Sequence, residues 1–446
     1  MSKPDPQSVL ARLIQSAKAA GADAADALLV EGVSSSVSYR LGKLEDVERA
    51  ESADLGLRVF VGQRVAFVSS TDFSRDALDA LPGRAVAMAR LAPEDKFACL
   101  APANRLARSF PALDIEDPNE PSAETLIERA RGAEGAAMAV PGITNSEGGG
   151  ASFSRSAVAL ATSEGFYGRY AGTSHSIGVA VLAGEGTNMQ TDHDSASARH
   201  AGDLESAETI GKRAGERAVA RLDPRKIKSQ AVPIVFDPRV SAGLVGHFAG
   251  AISGASIARG VSFLKDRLGQ KVFASGIRII DDPHRVRGLR SKPFDGEGVA
   301  NGRRALIEDG VLTTWLLDCA SARQLGLATT GHAARGTGGP PSPSPTNLYM
   351  EPGTLAPEAL MADIKMGFYV TELMGMGVNG VTGDYSRGAS GFWIEDGKKA
   401  FPVAEVTIAG NLKDMFVHLT PANDLVFRYG TNAPTLRVEG MTVAGA

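Results

Sequence analysis

Apolar residues recur at helical spacing through Val9, Leu10, Leu13, Ile14 and Ala17, which predicts an amphipathic helix with Asp5 as N-cap, Pro6 as first residue and Gly21 as stop. The period then changes to two. Leu55, Leu57, Val59 and Val61 alternate with other positions, Gly62-Gln63 fits a two-residue turn, and Val65 to Val68 returns as a second strand. Helical spacing resumes from about Arg75 to Leu91, after which Pro93, Pro102, Pro111, Pro118 and Pro121 read as an extended linker. A first segment closing near residue 110 is expected.

A helix from Ala123 to about Ala139 stops at Pro141-Gly142, and the Gly/Ser/Thr-rich stretch beyond it, with apolar runs Val158–Ala161 and Ile177–Leu182, predicts several antiparallel strands. Leu204 to Leu222 reads as a charged helix with the stripe Ala207, Ile210, Ala214 and Ala218, ended by Pro224. Val232 to Phe236 predicts a buried strand, and the helix after Asp237-Pro238 carries Val240, Leu244, Val245, Phe248 and Ile252 on one face. Asp309-Gly310 and Asp396-Gly397 are hairpin signals; Met366–Met374 and Val403–Ile408 add strands, with Val378–Val381 leading toward them through glycines. The expected fold class is α+β: an N-terminal α/β segment over 1–110, a β-rich middle segment with flanking helices over 111–225, and a large C-terminal domain over 226–446 with antiparallel sheet and packed helices.

Composition narrows the function. A chain of 446 residues, 43% of them hydrophobic, suffices for two or three domains with their own cores. Its 47 basic and 51 acidic residues give a net charge of −4, and no dense basic run tracks a phosphate backbone, so no direct nucleic-acid ligand is expected. The opening Met-Ser-Lys-Pro-Asp-Pro lacks an apolar signal region, and no apolar run approaches the ~18 residues of a membrane span. No membrane association is expected, and a cytoplasmic location is. Cys99 and Cys319, the only cysteines, agree with a reducing compartment.

Candidate chemistry lies in four places. Thr329–Asn347 holds four glycines and then four prolines within six residues, so it reads as a long loop, neither helix nor central strand. Both a rigid polyproline surface crossover and a substrate-facing loop fit that description. Asp192, His193, Asp194 and His200 resemble metal ligands but read as polar residues of a Thr/Ser-rich turn. Asp281, Asp282, His284, Asp295 and Glu297 can in principle hold a divalent cation, although Asp-Asp-Pro and Asp-Gly are ordinary turn signatures. His332 either meets a substrate carboxylate or is simply exposed. Ser386-Arg387-Gly388 and Ser390-Gly391 have no histidine nearby in sequence, which sets serine catalysis aside.

The run Ser253-Gly254-Ala255-Ser256-Ile257-Ala258-Arg259-Gly260-Val261-Ser262-Phe263-Leu264-Lys265, then Ile280-Asp281-Asp282-Pro283-His284, Pro293-Phe294-Asp295-Gly296-Glu297-Gly298, and the Gly/Pro loop through Thr346-Asn347 resemble the TldD/TldE (PmbA) family, the modulators of gyrase. The resemblance runs from about residue 5 to the end and is strongest to the TldE, or PmbA, branch. It implies a three-part fold and a cytoplasmic zinc-dependent peptidase built as a TldD–TldE heterodimer, acting on small unstructured peptides that include peptide-antibiotic precursors and antitoxins. The TldD branch carries HExxxH on the helix matching Ser241–Gly254, two histidines holding zinc and the glutamate serving as base. Here Leu244, Val245 and Ala249 occupy those positions, and a shifted alignment on His247 meets Phe248 and Ile252. The TldD-type cysteine ligand has no counterpart in Asn423–Pro434. The expectation is a subunit with no catalytic residues and no metal of its own, supporting dimer formation and substrate channelling while zinc resides in a TldD-like partner. Extended peptides pair with strand edges and glycine backbone, which makes Gly338, Gly339, Gly375, Gly377 and Gly380 candidate contacts, together with His332 and Asn347. The alternative is an independent homodimeric metal-dependent hydrolase using the 281–297 group and His332. The residues leave the oligomeric state of the isolated chain open; a homodimer is compatible with the subunit reading, since a surface made for a paralogue often tolerates a copy of itself, and is part of the alternative.

Overall fold

Asp5 caps the first helix, α1 (Pro6–Ala19), by accepting a 3.0 Å hydrogen bond from the Ser8 amide, and the helix buries Leu10, Leu13, Ile14 and Ala17 as its periodicity predicts. The computed structural model describes residues 5–445; residues 1–4 and 446, at the outer ends of the first and last expected segments, lie outside the described residues. Three strands follow, β1 (Ala24–Arg40), β2 (Lys43–Val61) and β3 (Arg64–Ser70), and then α2 (Arg75–Leu91). Gly62, at φ 59°, opens the β2–β3 turn in the left-handed region that glycine adopts without a Cβ penalty. Leu10, Leu13, Leu57, Val59, Leu81 and Val86 meet in one core between the two helices and the sheet.

This sheet does not stop at residue 110. It continues into the middle segment through β4 (Ile143–Thr162), β5 (Tyr167–Ala183) and β6 (Gln190–Ala198), in the order β3-β2-β1-β4-β5-β6. Every pairing is antiparallel, with Asp26 opposite Thr162 where β1 meets β4. The expected α/β character of the first segment is therefore replaced by α+β. A parallel pair needs a crossover between its strands, whereas the tight turns after β1 and β2 return the chain at once. Two further helices, α3 (Ala123–Met138) and α4 (Ala207–Ala220), cover β4–β6 through Ala133, Ala137, Ile177, Val179, Ile210 and Ala214. The proline-punctuated linker is irregular apart from one short turn, yet it is strapped down. Ala107 donates to the Gly298 carbonyl at 2.9 Å, and Ala101, Leu113 and Ile115 are buried.

The C-terminal part begins with β7 (Gln230–Phe236) and α5 (Pro238–Ala251). β7 pairs in parallel with Met366–Met374 and antiparallel with Leu436–Ala444, while Asp384–Glu395 and Lys398–Asn411 complete the sheet. Thr407 opposite Ala444 then closes five strands into a barrel, and the expected antiparallel sheet carries one parallel pair. The parallel pair arises because α5 and the long excursion after it carry the chain back before Met366. Both Asp-Gly turns form as predicted, with φ 47° and 79° at Asp309-Gly310 and 44° and 77° at Asp396-Gly397. Val378–Val381 is not a strand; it belongs to a loop in which Val378 makes one bridge, to Tyr385. Phe236, Phe248, Phe368 and Phe416 lie fully inside the core, each contributing about 1.5–3 kcal/mol by burial.

Candidate functional site

Helix α5 is built by its own first residues. Asp237 accepts from the Arg239 amide at 3.0 Å and from the Tyr369 hydroxyl at 2.9 Å, and Pro238 presets the first turn. This fixes the inward stripe. Leu244 and Val245 are each 1% exposed and Ala249 is 5% exposed, packed in the C-terminal core. Zinc requires nitrogen, sulfur or oxygen lone pairs, and these three side chains offer only carbon, so the metal implied by the resemblance does not fit here. His247 stands on the outer side of the helix, its ring 6.0 Å from that of Tyr385, and burial followed by the nearby Arg387 charge holds its pKa below the usual imidazole value. The Asn423–Pro434 segment does approach α5, through a 3.4 Å hydrogen bond from the Ser241 hydroxyl to the Ala433 carbonyl. Among the described residues no group of three or more His, Cys, Asp or Glu side chains is disposed to hold a metal.

The 281–297 group is partly brought together, but as a structural joint. Asp281 lies on the short strand Ile279–Asp281 rather than in a turn, accepts from the Thr346 amide and hydroxyl at 2.6 Å each, and sits 3.3 Å from His332 Nε2. His332 is therefore not exposed; Nδ1 lies 2.8 Å from the Thr330 hydroxyl. Asp295 accepts from the Glu297, Val299 and Ala333 amides at 2.9, 2.9 and 3.0 Å. Glu297 accepts from the Cys319 amide at 2.8 Å and lies 3.6 Å from Arg58. Burial pushes Glu297 up to about 7 against the pull of Arg58, and it raises Asp295 and the Cys319 thiol as well. Asp282 and His284 stand apart from these: Asp282 accepts from the His284 amide at 2.9 Å, and His284 Nε2 meets Asn301 Oδ1 at 2.8 Å.

The same contacts tie down both ends of Thr329–Asn347, while its Gly/Pro stretch stays exposed or half-buried. The segment holds a two-stranded ribbon, Ala333–Ala334 against Ser342–Pro343, and its flanks are buried. Amides that no strand satisfies are matched by the interior carboxylates just described. Arg335 then bonds Asp26 of β1 at 2.8 Å, Asp26 also pairs with Arg58 of β2, and the Thr337 hydroxyl meets Asp54. This charged joint fastens the first sheet to the C-terminal part. Asp26, Arg58 and Arg335 were not singled out from sequence, although Asp26 and Arg58 each sit inside an apolar run, which is the available signal.

The remaining candidates divide by exposure. Asn347 is buried and its side chain is committed to the Arg290 amide, the Asp282 carbonyl and the Ser291 hydroxyl at 2.9, 2.7 and 2.8 Å. Gly338 is exposed at the ribbon tip and Gly339 half-buried beside it; Gly375 and Gly377 lie on an exposed loop whose Met376 is 94% exposed, and the Gly380 carbonyl accepts from Phe263 at 3.1 Å. Asp192 and Asp194 belong to β6 and not to a turn. As alternate strand residues they share a face, where Asp192 meets Arg239 at 2.7 Å and Arg221 at 3.5 Å, and Asp194 pairs with Arg213 and with Arg217 at 3.0 Å. His193 is exposed and His200 Nε2 lies 2.9 Å from the Asp114 carbonyl, so these four do not converge.

A six-stranded antiparallel sheet fastened to a five-stranded barrel is an architecture that solved proteins share over nearly their whole length. A candidate gyrase modulator from Bacteroides thetaiotaomicron VPI-5482 superposes with a TM-score of 0.92 over 100% of both chains at 26% identity. TldE from Thermococcus kodakarensis shares the fold, with a TM-score of 0.86 over 98% of this chain and 99% of that one at 21% identity. PmbA/TldA metallopeptidase domain 1 matches residues 25–89, the central domain 116–222 and the C-terminal domain 229–445. The chain belongs to the PmbA/TldD metallopeptidase family, on its PmbA side: it is 39% identical to the metalloprotease PmbA of Escherichia coli O157:H7 over 95% of this chain and 92% of that one.

Proposed function

We propose that this chain is the TldE-like, non-catalytic subunit of a cytoplasmic zinc-dependent peptidase, that zinc resides in a TldD-like partner, and that this chain supports the dimer and channels small unstructured peptides. The observation that carries the reading is the donor-free stripe of Leu244, Val245 and Ala249, buried on the helix where the resemblance puts a zinc motif. The internal pairing of Asp281, Asp295 and Glu297 adds support, because these groups spend their lone pairs on backbone amides. In this reading the exposed backbone at Gly338 and Gly375 meets the peptide directly, as strand edges do, while the Gly377 carbonyl is taken by the Ser386 amide at 2.7 Å and holds that loop. His332 and Asn347 instead hold the loop that presents it.

The experiment is hydrolysis of an unstructured peptide, with zinc present, by this chain alone, by a TldD-like partner alone and by the mixture. Activity confined to the mixture is the expected result. Turnover by this chain alone, or a partner whose rate the chain does not change, overturns the proposal.

A further inference from the structure

Between α4 and the barrel runs a cleft of about 600 Å³ that joins a second lobe of about 310 Å³ at Arg217, Asp237 and Arg239. One wall is a row of arginines. Arg213, Arg217 and Arg221 stand four residues apart along α4 and its C-cap, so their bases repeat about every 6 Å. Arg428 and Lys399 also line the cleft.

Most acids of the cleft are already committed, whereas several of its cations are not. Glu216 is exposed and meets Lys212 only at 3.7 Å, but Asp237 caps α5 and takes the Tyr369 hydroxyl, and Asp424 takes the Thr435 amide and hydroxyl at 2.8 and 2.7 Å. By contrast Arg217 uses one nitrogen, on Asp194, and among the described residues the Arg428 guanidinium makes no hydrogen bond, only ion pairs at 3.9 and 3.7 Å. Lys399 rests its ammonium 3.3 Å from the Tyr369 ring centre and has no carboxylate within ion-pair distance among the described residues. Spare donors therefore face the space. Phe392, Phe401, Val426 and Tyr429 add apolar walls, which a phosphate chain has no use for.

Spare cations beside apolar walls select the ligand. Successive residues of an extended chain face opposite ways, so one strand offers carboxylates to the cations and apolar side chains to the walls. We propose that this cleft binds an extended acidic segment of a polypeptide, its alternate carboxylates meeting Arg217, Arg428 and Lys399 and its apolar residues the aromatic walls. The choice of a peptide rests on the peptide-handling role proposed above. Binding, unlike hydrolysis, needs only this chain.

The test is fluorescence anisotropy with the full chain and a labelled peptide alternating Glu and Val, against the same peptide with Lys for Glu, and with inorganic polyphosphate as competitor. The acidic peptide should bind, weaken as salt rises, and lose about tenfold in affinity on Arg217→Ala or Lys399→Ala, each removing one charge-assisted contact. Lys399→Ala gives up the contact with the Tyr369 ring but no ion pair, and circular dichroism with thermal unfolding checks its fold before the affinity is read. Equal binding of both peptides, affinity unchanged by both variants, or preference for polyphosphate overturns the inference. No peptide binding beside an active mixture sinks this inference alone; tight acidic binding beside an inactive mixture sinks only the proposed function.

Discussion

Glu297→Gln isolates the cost of the buried joint. The side chain is 2% exposed, and an amide at this position keeps an oxygen for the 2.8 Å bond from Cys319 while removing the charge. Burial moves the carboxyl from 4.5 to about 7, the desolvation outweighing the attraction of Arg58 at 3.6 Å. A rise of about 2.5 pH units at 1.36 kcal/mol each is about 3 kcal/mol. Because the folded state holds this proton more tightly than the unfolded chain, the contribution is whole below pH 4.5, declines as pH climbs from 4.5 to about 7, and is gone above. The variant has no such decline. Urea unfolding of both proteins at about pH 5 and about pH 8 should show the variant gaining about 3 kcal/mol on the parent between the two conditions. Parallel pH profiles, or a variant that loses ground at higher pH, refute the reasoning.

Gly56→Ala places a Cβ 2.8 Å from Thr337 Cα and closer still to its carbonyl oxygen, so thermal unfolding should show a loss of about 1–3 kcal/mol from overpacking at the joint. An unchanged midpoint would mean that the segment yields freely. The triple change Leu244→His, Val245→Glu, Ala249→His writes the motif back without a third ligand, and calorimetry should find weak zinc uptake; tight stoichiometric binding contradicts the ligand count. Light scattering of the isolated chain should give a homodimer, and a clean monomer rejects self-pairing.

Local signals carried much of the fold. α1, α2 and α5 follow from amphipathic spacing and side-chain caps, and the hairpins at Gly62, Asp309-Gly310 and Asp396-Gly397 from turn chemistry. β1 has no such signal, because Ala25–Leu29 is buried on both faces between β2 and β4 and then gives way to Ser34-Ser35-Ser36. Barrel closure depends on Thr407 finding Ala444, which no local pattern encodes. The apolar face of α5 at Leu244, Val245 and Ala249 was legible from its spacing, and the three are buried. The joint was legible by half, since Asp281, Asp295, Glu297 and His332 stand out in sequence while Arg58, which faces Glu297, and Asp26, which meets Arg335, lie more than 200 positions upstream.

The pairing of β1 with β4 sets a timetable for synthesis. Asp26 meets Thr162 across the sheet, so β1 leaves the ribosome well over a hundred residues before its inner neighbour exists. At about 5–20 residues per second that is on the order of ten seconds during which one flank of β1 stands open to other nascent chains. The serine-rich outer half of β1 is a poor template for such pairing, so polar composition at Ser34–Ser36 guards the strand during its wait as well as facing solvent afterwards.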